Sequence, residues 1–201
     1  MYPLKALRVR GHHGGFTLLE LLVTITIGAI LMAIAVPSLT TFIQNSRETS
    51  EENSLVGSLD YARSEAVKSD ASVEVCASTD GATCSGAEAA GAWATGWIVE
   101  SLLNGTATVL QTMPALGTTN TLSSSFSPPA SPPSYVTEVT FQPNGFVQAA
   151  AGAGVYQTTY FTLCDPRGAG YARDIEVTAI GAVQTSPTAG VALDSEALTC
   201  P

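Results

Sequence analysis

The sequence predicts an α+β protein: a long N-terminal helix, transmembrane in its first half, packed on an antiparallel β-sheet or sandwich head. Three observations carry that expectation. Residues 16–36 hold one charged side chain, Glu20, in an otherwise uncharged apolar run. Beyond Pro37, apolar residues recur at spacings of three and four, the period of one helical face. From Ala71 the period becomes two, in short runs rich in Val, Thr and aromatics, separated by Gly, Pro, Asn or Asp. Hydrophobic residues make up 45% of the 201 and charged ones 12%, a balance that fills a core and excludes a disordered chain. The expected segments are a basic leader at 1–15, an apolar helix at 16–36, an amphipathic helix at 37–70 and a β-rich head at 71–201.

The leader carries Lys5, Arg8 and Arg10, no acid, and both histidines, His12 and His13. Beyond Gly15, Arg47, Arg63, Lys68, Arg167 and Arg173 face all seventeen acids. A chain starting at residue 16 therefore carries about −12, which repels phosphate backbones. As a helix, residues 16–36 rise about 31 Å, close to the hydrocarbon thickness of a bilayer. The cations before the run place the N-terminus in the cytoplasm and the head on the far side. An ordinary single-pass anchor fits this length, and a secretory signal fits Ala33-Ile34-Ala35, a small-x-small cleavage pattern. Neither uses Glu20, although a carboxylate costs ~2.5–3.5 kcal/mol at the centre of a membrane helix. A cut between Gly15 and Phe16 gives it a purpose. The new Phe16 amine then lies one helical turn from Glu20, and the two charges satisfy each other between neighbouring subunits, fixing their register.

In the second helical stretch, Leu39, Phe42, Ile43, Leu55, Leu59, Ala62 and Ala66 form one face. A break or bend is expected at Pro37, which lacks an N–H. Glu48, Glu51, Glu52, Asp60 and Lys68 read as a solvated face, with Arg63 pairing to Asp60 for ~0.2–0.5 kcal/mol. Strands are expected at "SVEVCAS", "GWIVESLL", "TATVLQT", "YVTEVTFQ", "TTYFTLC" and "RDIEVTAI", with Asn-Gly turns at 104–105 and 144–145. Residues 123–134, "SSSFSPPASPPS", read as a Pro/Ser loop, and 149–154, "AAAGAG", as a small-residue turn. Asp165-Pro166-Arg167-Gly168 reads as a tight structural turn after a strand.

Cys76, Cys84, Cys164 and Cys200 are spaced unlike zinc ligands, and no histidine follows His13 to complete such a site. Beyond a membrane segment they read as two disulfides. Three pairings are open. The favoured pairing is Cys76–Cys84, closing a Gly/Thr/Ser-rich loop, with Cys164–Cys200 pinning the C-terminal tail, although the sequence alone does not decide among the three.

The stretch "GGFTLLELLVTITIGAILMAIAVPSL" resembles the N-terminus of type IV pilins and of the pseudopilins of type II secretion. The resemblance implies that a membrane prepilin peptidase and N-methyltransferase cuts between Gly15 and Phe16 and methylates Phe16. It further implies that Glu20 sets assembly register, that the helix bends or loosens at Pro37, and that the helices pack in a filament core. "LDYARSEAVK" and "CDPRGAGYARDIEV" resemble the GspH/FimT branch of minor pilins and minor pseudopilins, and "CDPRG" with a terminal Cys200 is most similar to its FimU-like members. The implied fold is pilin-like. The implied function is assembly into a pilus tip and priming complex. The implied partners are other minor pilins and the major pilin, met through the N-terminal helix, and inner-membrane lipid before assembly. The head would be periplasmic and the chain would end in the pilus. A minor pseudopilin is the rival within the same branch.

No catalytic constellation, cofactor motif or small-molecule substrate site is legible. Without a histidine beyond the leader, Ser–His and Cys–His nucleophiles are excluded, and no Gly-rich phosphate loop precedes a helix. DNA-receptor relatives of FimT type carry a Gly-Arg-x-Arg motif. Here Gly181 is followed by Ala182, Val183 and Gln184, and Arg167 and Arg173 are the only cations of the last hundred residues, too few for phosphate binding.

Overall fold

A computed structural model describes residues 15–86, 91–117, 119–125, 135–148 and 157–200. The leader cations and histidines, residues 126–134 of the Pro/Ser loop and the small-residue stretch 149–154 lie outside the described residues. The chain divides into two compact units, residues 1–45 and 46–201.

Helix α1 runs Leu18–Ser69 and supplies residues to both units. It starts because Thr17 caps it: the Glu20 N–H donates to Thr17 Oγ1 (3.1 Å) and the Leu21 N–H to the Thr17 carbonyl (3.1 Å). It ends at Asp70, whose φ of 53° leaves the helical region. Pro37 lies inside the continuous helix, so of the break or bend expected there the break is absent. A proline removes one backbone donor, and its flanks here are long helical runs that carry the ladder past it. The hydroxyls of Thr40 and Thr41 both donate to the Pro37 carbonyl, at 2.8 and 3.1 Å. In the first unit the large apolar side chains from Leu18 to Ile43 are exposed, including Leu39, Phe42 and Ile43, which therefore do not extend the buried face.

In the second unit, β1 (Ser72–Ala77), β2 (Trp97–Leu103), β3 (Thr106–Met113), β5 (Glu138–Phe141) and β6 (Val147–Gln148) form one sheet in the order β3-β2-β1-β5-β6. A second sheet has the order β4-β7-β8-β9, from β4 (Thr121–Ser125), β7 (Thr159–Cys164), β8 (Arg173–Val177) and β9 (Val183–Thr185). All named pairings are antiparallel. Alternation decides which side chains point inward: Val73 and Val75 of β1, Val99 of β2 and Val139 and Phe141 of β5 are buried. They share one core with Phe161, Leu163, Ile175 and Val177 of the second sheet and with Leu55, Leu59, Ala62 and Ala66 of α1. Trp93, on a 3-10 turn at Ala92–Thr95, packs edge-on against Phe161 at 4.9 Å. Both indoles are buried with their N–H groups satisfied: Trp93 donates to the Val136 carbonyl (2.8 Å) and Trp97 to Ser58 Oγ (3.0 Å).

The β2–β3 hairpin closes at Asn104-Gly105, both at positive φ, as a two-residue turn of this composition demands. One expectation fails at the start of the Pro/Ser loop. Residues 123–125 belong to β4, an edge strand paired to β7, in which Leu122 and Ser124 are buried alternately. Two bridges staple the head, Cys76–Cys84 and Cys164–Cys200.

Candidate assembly sites

Gly15 and Phe16 immediately precede α1, and Phe16 is 83% exposed. Glu20 stands in its first turn and is exposed. Thr17 and Glu20 together have the T-x-x-E spacing of a capping box, so Glu20 occupies the position that favours an acid on helix-starting grounds alone. The apolar stretch that follows is long and apolar enough to cross a membrane, and none of it is buried within the chain. Its hydroxyls are self-satisfied: Thr24 donates to the Leu21 carbonyl and Thr26 to the Val23 carbonyl, both at 2.8 Å. That leaves a surface nearly free of unpaired donors, which suits lipid or another helix.

The head presents a second construction, around Arg167. Asp165, Pro166, Arg167 and Gly168 form a turn closed by the Gly168 N–H donating to the Asp165 carbonyl (3.1 Å). Asp165 Oδ1 accepts the Arg167 N–H at 2.9 Å and Oδ2 accepts Arg167 Nε at 2.5 Å. Gly168 adopts a φ of 91°, where a side chain is strained. The turn also reaches across to α1. Arg167 Nη2 donates to Glu48 Oε2 at 2.8 Å, and the guanidinium lies 4.2 Å over the Tyr171 ring. Glu48 is buried, and burial together with the Asp165 charge pushes its carboxyl up to about 7 against the pull of Arg167.

The expected solvated face of α1 is thus corrected. Glu48 and Glu52 are buried, Glu52 beside Arg173 and bonded to Thr185. Glu51 accepts the Gly117 N–H (3.2 Å) and the Asn120 amide (2.6 Å). The sequence did hold a signal for this. Positions 48, 52, 55, 59, 62 and 66 alternate spacings of four and three, so both acids continue the apolar stripe that faces the sheets. Arg63 is also reassigned: its Nη2 donates to the Ile180 carbonyl (3.0 Å), and among the described residues it has no carboxylate partner.

Two further clusters bear on chemistry. Glu74, Cys76 and Cys84 place their ligating atoms together, but the two sulfurs are bonded to each other and offer no thiolate. Glu74 and Glu100 face each other across β1 and β2, with Glu138 opposite Cys76, and burial raises the Glu74 carboxyl.

Residues 51–181 match the family described as Type II transport protein GspH. The chain belongs to the GspH family. Residues 10–36 match the prokaryotic N-terminal methylation motif. The fold is that of the type IV minor pilin FimU of Pseudomonas aeruginosa PAO1. One crystal form aligns with a TM-score of 0.55 at 22% identity, over 80% of this chain and 99% of that one. A second form gives 0.51 and 23%, over 76% and 99%. The minor pseudopilin EpsH of the Vibrio cholerae type 2 secretion system aligns at 0.46 and 11% identity, over 70% and 96%. No curated protein matches. The GspH-family chain therefore combines a methylation-motif N-terminus with a head of minor-pilin fold, and its family and structural neighbours are structural pilins rather than enzymes.

Proposed function

We propose that this GspH-family chain is a minor type IV pilin that joins other pilins in a tip complex, primes assembly and performs no catalysis. One observation carries this reading. A methylation motif leads directly into a helix whose apolar side chains are exposed among the described residues, while the head is a bridged unit of its own. In this reading a membrane prepilin peptidase cuts between Gly15 and Phe16, and Phe16 is methylated. The freed amine meets Glu20 of a neighbour, the helix waits in inner-membrane lipid with the head in the periplasm, and Pro37 eases its passage into the filament. The domains would divide at 15, 36 and 70. The engaged cations speak against DNA as a partner: Arg167 is held by Glu48 and Asp165, and Arg173 lies beside Glu52.

The family's description as a type II transport protein favours one second reading, a minor pseudopilin. Deleting the gene in its host separates the two. Loss of surface filaments with normal protein secretion supports the pilin; normal filaments with impaired secretion supports the pseudopilin.

A further inference from the structure

The outer face of the first sheet gathers three acids around one disulfide. Val73 and Val75 of β1 turn into the core, so Glu74 and Cys76 point to the opposite face. There Glu74 stands directly across from Glu100 of β2, and Cys76 directly across from Glu138 of β5. Cys84, on the loop that follows β1, closes its bridge to Cys76 on this face. Glu74 Oε1 lies 3.3 Å and Glu100 Oε1 3.6 Å from Cys84 Sγ. A bonded sulfur has no hydrogen to donate, so these are contacts between a disulfide and two carboxyl groups.

Like groups opposed across a sheet are destabilising, and no cation relieves these: among the described residues none of the three acids is in an ion pair. Burial, with Glu138 and Glu100 beside it, pushes the Glu74 carboxyl up to about 8, and burial raises Glu100 as well. The two sulfurs are unequally placed. Cys76 is 1% exposed, whereas Cys84 is half-buried and is the sulfur that a reagent reaches. The Cys164–Cys200 bridge has the same division, with Cys164 buried and Cys200 half-buried, but among the described residues no such group of side chains gathers around it. Reduction of a disulfide begins with a thiolate, an anion, and releases another. Carboxylates beside the attacked sulfur raise the energy of both, so they slow an anionic reagent most.

We propose that Cys84 Sγ is the point at which thiols open this bridge, and that Glu74, Glu100 and Glu138 make the site selective for cationic and neutral thiols over anionic ones. A reagent thiolate attacks Cys84 Sγ. A bond forms between the reagent sulfur and Cys84 as the Cys76–Cys84 bond breaks, and Cys76 Sγ leaves with the electron pair and takes a proton from solvent. A second reagent thiolate then attacks the reagent sulfur of the mixed disulfide. Cys84 leaves with that electron pair and is protonated in turn, and the reagent departs as its own disulfide. Two reagent thiols are oxidised and one bridge is reduced. The acidic body of the chain repels an anionic reagent at both bridges, so a difference between them reports the local acids.

The test uses the full-length protein extracted in detergent and three reagents: cysteamine, 2-mercaptoethanol and 2-mercaptoethanesulfonate. Their thiolates carry an added ammonium, nothing and an added sulfonate. They are compared at equal thiolate concentration at about pH 9, where thiols and raised carboxyls ionise. Opening of each bridge is followed by alkylation and peptide mass spectrometry. Cysteamine should open Cys76–Cys84 fastest and the sulfonate slowest, with a spread of rates about tenfold wider than at Cys164–Cys200. The trapped mixed disulfide should be on Cys84. Glu100→Gln and Glu138→Gln should each narrow the difference between the bridges about threefold or more. Added salt should narrow it in the unaltered chain, which keeps the test independent of whether the variants fold. Equal spreads at the two bridges, folded variants that keep the full difference, a difference that salt leaves untouched, or a mixed disulfide on Cys76 would overturn the proposal.

Discussion

Arg167 is the residue through which the turn and the helix become one structure. It satisfies Asp165 within the turn and Glu48 on α1, and it stacks on Tyr171. Removing it leaves two buried carboxylates without their cation, so Arg167→Ala should destabilise the head by about 3–5 kcal/mol, the usual cost of orphaning a buried charge. The two tryptophans, both in the core, make fluorescence-monitored unfolding the natural readout. Glu48 gives the opposite pH dependence from an ordinary ion-paired acid. Its folded carboxyl lies near 7 against a reference of 4.5, so the folded state binds a proton that the unfolded chain has already lost. Its contribution is greatest below pH 4.5 and falls away as pH rises toward 7. Glu48→Gln should flatten the stability profile in that window; an unaltered slope would remove Glu48 from the account. These contacts were the least legible in the sequence. Arg167 was visible as part of a turn, but nothing local reveals that residues 48 and 167, far apart in the chain, would meet.

At the scale of elements, α1 was the most legible feature, because composition sets its apolar half and periodicity its buried face. Of the break or bend expected at its interior proline, the break is absent, since a missing donor weakens a helix without obliging it to break when both flanks favour it. The same periodicity carried past Leu55 would have drawn Glu52 and Glu48 into the buried face, where the assumption that charges are solvated displaced it. Most strands were legible from alternation and from Asn-Gly, whereas β4 was hidden because three of its five residues are serines. Two predictions belong here. Leu59→Ala, at a fully buried stripe position, should cost about 2–5 kcal/mol in thermal or denaturant unfolding. At the start of α1, Glu20 has a capping position as well as a charge, and two variants separate them. If the charge is what assembly uses, Glu20→Gln and Glu20→Ala should both be processed, yet appear in sheared filaments at a small fraction of the wild-type amount. Normal incorporation of Glu20→Gln would leave only the cap.

At the scale of the molecule, two kinds of surface are built by different means. The head closes on itself through two sheets, one helical stripe and two bridges. Among the described residues, the first unit exposes its large apolar side chains. The Cys164–Cys200 bridge spans 36 residues and ties the C-terminal tail to β7. Cys200→Ser should lower head stability by about 2–4 kcal/mol by differential scanning calorimetry, the typical value of such a bridge. The sequence offered the four cysteines and their even number, but their pairing depends on which strands become neighbours. The exposed helix is the more consequential asymmetry, because a free amine at Phe16 is what would give Glu20 a partner in a neighbouring copy. Intact-mass and N-terminal fragment analysis of the protein extracted from its native membrane tests this most directly. The account predicts a chain whose first residue is N-methylated Phe16; a chain that keeps residues 1–15, or one that begins after Ala35, would contradict it.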